Sequence, residues 1–195
     1  MKIWGEHMEK VTLEEIKKKT LGLIEELNAE SEFLTDDPDI STKINDVTNQ
    51  KQFELARYKR IPKYIEKVVE KGDLITFEDI SAECGRDVYQ LGSIKGVNHE
   101  YKADGTVVKA LESGTMEIDF YVYPLRITSE TANDYVFDLS LDCLEILPYG
   151  IAADLLKSDV SAEYGSVYAS EFEKLVNRID PRNHLTSIYI EGGVI

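Results

Sequence analysis

Hydrophobic positions along this chain follow two different periods, and the change between them divides the sequence. From Thr12 to Asn28 the apolar residues Leu13, Ile16, Leu23, Ile24 and Leu27 recur at three-to-four spacing, which predicts an amphipathic helix. Thr12 and Glu15 stand at the spacing of a capping box and mark its start. Asp37-Pro38 breaks the acidic loop SEFLTDDPD, and Asp39 or Ser41 then caps a second helix expected to run to about Tyr58, burying Ile44, Val47, Leu55 and Tyr58. Ile61-Pro62 interrupts the pattern. Beyond it, Ile61, Ile65, Val68 and Val69 fit a further helical segment or a strand equally well before Lys71-Gly72.

From about Leu74 to Leu139 the period becomes two. Short β-rich runs separated by Gly and Asp-Gly predict an inserted antiparallel region. Asp104-Gly105 predicts the hairpin turn between HEYKA and TVVKAL. Met116, Ile118, Phe120 and Val122 should face a core while Glu117, Asp119 and Tyr121 face water. Asp134 to Leu139 reads as another short strand. Helix returns from Leu141 to Ser158 on the stripe Leu144, Leu147, Ile151, Leu155 and Leu156, with Pro148 kinking it or setting its first turn. A partner helix, Ala162 to Ile179, carries Tyr164, Val167, Tyr168, Phe172, Leu175 and Ile179, and the two are expected to pair antiparallel. Asp180-Pro181 stops it and leaves an apolar, β-prone tail, HLTSIYIEGGVI.

The expected class is therefore α+β. Residues 1–73 form N-terminal helices, 74–140 an inserted antiparallel β region, 141–180 a helix pair and 181–195 an extended tail. At 195 residues the chain is long enough to bury a core without disulfides. Its 37 acidic and 22 basic residues give a formal charge of -15, which repels phosphate backbones and anionic lipid. Any DNA near this protein should slide past an acidic wall. Cys84 and Cys143 are far apart with no CxxC partner, so both read as buried thiols. The charged N-terminus MKIWGEHMEK and the lack of any window near eighteen apolar residues predict no membrane segment and a soluble product of the cytosol.

Candidate chemistry is sparse. His7, His99 and His184 have no histidine or cysteine at ligand spacing, so no metal is expected. Asp36, Asp37 and Asp39 lack the glycine and the downstream glutamate of a calcium loop. GSIKG at Gly92 to Gly96 lacks the Ser or Thr and helix start of a phosphate loop, and Ser166 lacks the context of a nucleophile elbow. Glu117 and Asp119 share a strand face and can in principle serve as paired acids, but such a face is the ordinary place for carboxylates. We expect no catalytic residues and no cofactor. The one cationic concentration is RYKRIPKYIEK, where Arg57, Tyr58, Lys59, Arg60 and Tyr64 read as a solvated helix face or a subunit contact rather than a grip on single-stranded nucleic acid.

From Met116 to Asp180 the runs DFYVYPLRIT, DYVFDLS, LEILPYGIAADLLKSD and YASEFEKLVNRI resemble the tailed-bacteriophage head-tail connector, or adaptor, proteins. The opening TLEEIKKKTLGLIEELN, the DDPD loop and NDVTNQKQFELA fit the same family, so the likeness covers most of the chain. The resemblance implies a helical bundle with a β insertion, assembled as a ring, usually of twelve, beneath the portal vertex. Such a ring extends the DNA channel without specific DNA binding and offers a docking surface to tail or second connector proteins. The long insertion is closer to the larger adaptors of short-tailed phages. In that family the C-terminal segment commonly reaches toward the portal protein, which here makes Leu185, Ile188, Tyr189, Ile190, Val194 and Ile195 candidate portal or neighbour contacts. The implied location is the head-tail junction of the virion, after synthesis in host cytoplasm. Eleven tyrosines suit interfaces. Two other readings compete: a binding module with an aromatic concavity in the β insertion, and an enzyme using Glu117, Asp119 or Asp138 in a deep pocket.

Overall fold

The first helix is held at its N-terminus by two kinds of cap. The structure, a computed structural model, describes residues 10–24, 38–102, 105–158 and 162–179. Helix α1 (Leu13–Leu23) begins at Thr12, whose hydroxyl accepts from Glu15 N–H at 3.3 Å while the Glu15 carboxylate accepts from Thr12 N–H at 2.8 Å. The next two donors of the helix, Leu13 and Glu14 N–H, reach the carbonyls of Tyr135 and Asn133, both at 2.9 Å. The segment expected as a strand from Asp134 to Leu139 makes only one bridge, Val136 to Thr12. Its Tyr135 carbonyl is used to cap α1, as is that of the preceding Asn133, and a single bridge cannot grow into a ladder.

Helix α2 (Pro38–Tyr58) runs to the residue expected and buries Ile44, Thr48, Asn49, Gln52, Leu55 and Ala56. Three of these are polar: Thr48 Oγ1 donates to Ile44 C=O at 2.6 Å, and Asn49 and Gln52 are joined through one amide oxygen. Asn49 Nδ2 donates to Ile127 C=O and Asn49 Oδ1 accepts from Ile127 N–H, each at 2.7 Å, while Gln52 Nε2 donates to the same Oδ1 at 2.9 Å. The side chain thereby takes the place of a strand for one buried residue of the loop after Arg126.

Helix α4 (Leu141–Leu155) continues into a 3₁₀ turn, Leu156–Ser158. It buries Leu144, Leu147 and Ile151 as the periodicity predicts, and Pro148 lies inside the helix. A Cβ at Gly150 would lie 2.7 Å from the Phe172 ring, so glycine leaves the notch that α5 (Ala162–Ile179) fills with Phe172. The buried residues of α5 are Gly165, Phe172 and Val176. Tyr164 and Val167, expected in the stripe, are 68% and 62% exposed, so the packed face is rotated toward the small residue at 165. Lys51 Nζ sits 3.1 Å from Asp154 and 3.3 Å from Glu54, and 4.9 Å from the Phe172 ring centre. Burial pulls the Lys51 pKa down, but the two carboxylates together outweigh it and the net shift is upward.

Residues 60–126 hold both sheets. Strands β1 (Ile61–Val69), β6 (Gly114–Val122) and β3 (Val88–Lys95) make one antiparallel sheet in the order β1-β6-β3. Strands β2 (Leu74–Thr76), β5 (Val107–Ala110) and β4 (His99–Lys102) make the other in the order β2-β5-β4. The open question at Ile61–Val69 is resolved as strand: β1 pairs with β6 from Ile61↔Val122 to Val69↔Gly114, a partner distant in the chain that supplies the ladder. The predicted alternation in β6 is present, with Met116, Ile118, Phe120 and Val122 all buried. The hairpin of β4 and β5 is also present, in the register His99↔Ala110 to Lys102↔Val107, with Gly105 at φ +84°.

An element not expected within the β region is the short helix α3 (Phe77–Cys84). It starts on the capping box of Thr76 and Asp79 and ends at Gly85, whose φ of +68° is left-handed. Ile80 carries it onto the core of Ile75, Val108, Met116, Ile118, Phe120 and Val122. Gly96 closes the turn after β3 at φ +86°, where a Cβ would lie 2.3 Å from Thr115 O.

The chain thus divides into two compact units: residues 1–59 with 127–195, carrying α1, α2, α4 and α5, and residues 60–126, carrying the sheets and α3. Among the described residues the class is mixed α and β, with five α-helices and two small antiparallel sheets.

Candidate interaction surfaces

Strand alternation decides what the β unit shows to its surroundings. Opposite its buried residues, β6 presents Glu117, Asp119 and Tyr121, which pair across to Glu66, Tyr64 and Pro62 of β1. The Tyr64 hydroxyl donates to Glu66, and this hydrogen bond raises the phenol pKa above its ordinary value. Ser93 Oγ donates to Asp119, and the Arg60 guanidinium stands 4.9 Å from the Tyr121 ring centre. The carboxylates expected as a potential acid pair therefore lie on an open sheet face, with Asp119 engaged by a serine and Glu117 directly opposite Glu66. Like charges directly opposite across strands repel. Strand β1 is an edge strand, and Val68 on it is 81% exposed.

The cationic run is divided between the units. Arg57, Tyr58 and Lys59 belong to the helical unit; Arg60 and Tyr64 belong to the β unit. Lys59 is held by Asp142 at the start of α4, and that hydrogen bond raises its pKa. Arg57 is exposed and Tyr58 half-buried, and with Phe53 they line a shallow depression of about 520 Å³ along α2.

The tail residues Leu185, Ile188, Tyr189, Ile190, Val194 and Ile195 lie outside the described residues. What the structure does describe is the place from which they depart. A groove of about 660 Å³ runs between α1, α4 and α5, with Leu23, Ile146, Pro148, Leu175 and Ile179 supplying apolar walls and Lys19, Glu145 and Arg178 the polar rim. Ile179 is the last residue of α5. Tyr168 OH donates to Leu23 C=O, which fixes the end of α1 against α5 beside this groove. Sequence reading missed the groove because it is assembled from three helices, although the half-buried Leu175 and Ile179 were visible as part of the α5 stripe.

Among the described residues no group of three or more His, Cys, Asp or Glu side chains converges to hold a metal ion. Among them, too, no helix is long and apolar enough to cross a membrane. Cys143 is buried, and burial pushes its thiol pKa up; Cys84 is half-buried, with Sγ 3.5 Å from Arg86 O. A scan against models of known protein families finds no match for this chain, and a search of curated proteins likewise finds none.

Proposed function

We propose that this chain is a non-catalytic structural protein of a tailed bacteriophage, a subunit of the head-tail connector ring. In this reading the helical unit is a bundle into which the β unit is inserted, and about twelve copies close into a ring under the portal protein. The ring continues the DNA channel, and its far side receives tail or second connector proteins.

The observation that supports this most is the discontinuous architecture. One unit is built from residues on both sides of 60–126, which is the arrangement that the connector resemblance implies. A net charge of -15 suits a channel wall that DNA must traverse without sticking. Exposed apolar side chains at Val68, Tyr164 and Val167 suit a protein with surfaces to cover. Many modest heterologous contacts become collectively strong once a ring closes.

The test is to purify the full chain, alone and with the portal protein of the same phage, and to measure mass by light scattering and shape by electron microscopy. Closed rings with a central channel, seated on the portal, are the expected result. A chain that stays monomeric in both conditions and is absent from purified particles would refute the reading. Removing Leu185 to Ile195 should leave a folded subunit, by circular dichroism, that no longer incorporates into particles.

A further inference from the structure

We propose that the groove between α1, α4 and α5 is the docking site for residues 185–195 of a second copy of this chain. The proposal rests on the assembly reading above and assigns the tail its partner.

The groove is apolar where a segment would bury side chains and charged where a segment would leave it. Leu23, Ile146, Pro148 and Leu175 give the walls; Lys19 and Glu145 are exposed at the rim. Its volume of about 660 Å³ is open along one side, which suits a groove that takes a few side chains of a longer segment rather than enclosing a whole ligand. The tail matches it in pattern. In an extended segment Ile188, Ile190 and Val194 fall on one face and Tyr189, Glu191 and Ile195 on the other, and the rim offers Glu191 the cations Lys19 and Arg178, which stand among the acids Asp142 and Glu145.

The tail of the same chain is a poorer occupant. Ile179 ends α5 and is itself a groove residue, and only residues 180–184 separate it from Leu185. Asp180 precedes a proline, which biases it toward extended backbone, and Pro181 cannot prolong the helix. To enter its own groove the chain would have to reverse within residues 180–184, over its point of departure. A tail from a neighbouring copy enters without that reversal, and a head-to-tail contact of this kind is the type that closes rings.

The proposal is tested with full-length chains in a Cys84→Ser background. One chain carries Ile188→Cys, a second carries Glu145→Cys, and the two are mixed under mild oxidation. We expect a disulfide between the two chains at a yield about tenfold above that obtained with Glu173→Cys, a position on the exposed side of α5. Leu175→Glu should abolish that link, and Lys19→Glu, an exposed change that spares the fold, should reduce it severalfold. Absence of the inter-chain link overturns the proposal. So does a chain carrying both cysteines that links to itself at high dilution, since the occupant is then its own tail. Light scattering separates the two readings. Rings without the link leave the connector standing and remove the groove's role, whereas linked chains that never form rings keep the groove contact and remove the connector.

Discussion

Replacing Asn49 with alanine should be among the most damaging single changes in the helical unit. Asn49 is 3% exposed and Ile127 2%, so water cannot stand in for the lost amide. The substitution strands both the N–H and the C=O of Ile127 and removes the acceptor of Gln52. Each buried polar group left unpaired costs about 1–3 kcal/mol, and the vacated volume adds to this. We expect a total of about 3–5 kcal/mol, a large part of the roughly 5–15 kcal/mol that holds a typical domain folded. Asn45→Ala is the control. Its amide donates to the neighbouring Thr128 carbonyl at 3.3 Å in an exposed setting, and its loss should cost about 1 kcal/mol or less. Urea denaturation followed by circular dichroism reads the stability, and hydrogen exchange at the Ile127 amide reads the local effect. An Asn49→Ala protein within about 1 kcal/mol of the parent, with that amide still protected, would refute the reasoning.

Three further outcomes follow from the packing and the pKa shifts. Gly150→Ala drives a methyl group to 2.7 Å from the Phe172 ring and should cost about 1–2 kcal/mol net of alanine's better helix propensity; pairing it with Phe172→Leu should recover part of that loss in a double-mutant cycle. The Asp79 carboxylate, which accepts from Thr76 N–H and hydroxyl, titrates below the ordinary aspartate value of 3.8. Its support for α3 is therefore complete above about pH 4 and drains away as pH falls through the lower folded value; a carboxyl titration by NMR at or above 3.8 would contradict this. Native-state alkylation should modify Cys84 before Cys143 by roughly tenfold or more in rate, because burial raises the Cys143 thiol pKa and shields it; equal rates would argue against that core.

The elements legible in the sequence are those whose stabilising partners are close in the chain. Thr12 and Glu15 announce α1 because they cap each other, and Met116 to Val122 announces β6 because its alternation is complete within seven residues. Ile61–Val69 stayed open between helix and strand because its ladder comes from β6. Residues 134–137 carry strand composition, yet the Tyr135 carbonyl, like that of Asn133 just before, goes to the N-terminus of α1, a demand no local pattern records. Helix α3 was legible and overlooked: Thr76 and Asp79 stand at capping-box spacing and Gly85 ends the turn. The tyrosines and cations from Arg57 to Tyr64 formed one patch on paper because they are adjacent, whereas the chain passes from one compact unit to the other between Lys59 and Arg60.

The split of the helical unit also sets an order of events during synthesis. When α2 leaves the ribosome, Asn49 and Gln52 are already present, but Ile127 is still to be made, as are α4 and α5. The whole of 60–126, with every strand of both sheets, emerges first. At ~5–20 residues per second this interval is on the order of several seconds, long enough for the β unit to fold while α2 waits with its apolar stripe uncovered. A nascent chain arrested only once Arg126 has cleared the ribosome should therefore carry a folded β unit and a protease-sensitive α2, and the helical unit should close only as the last third of the polypeptide emerges.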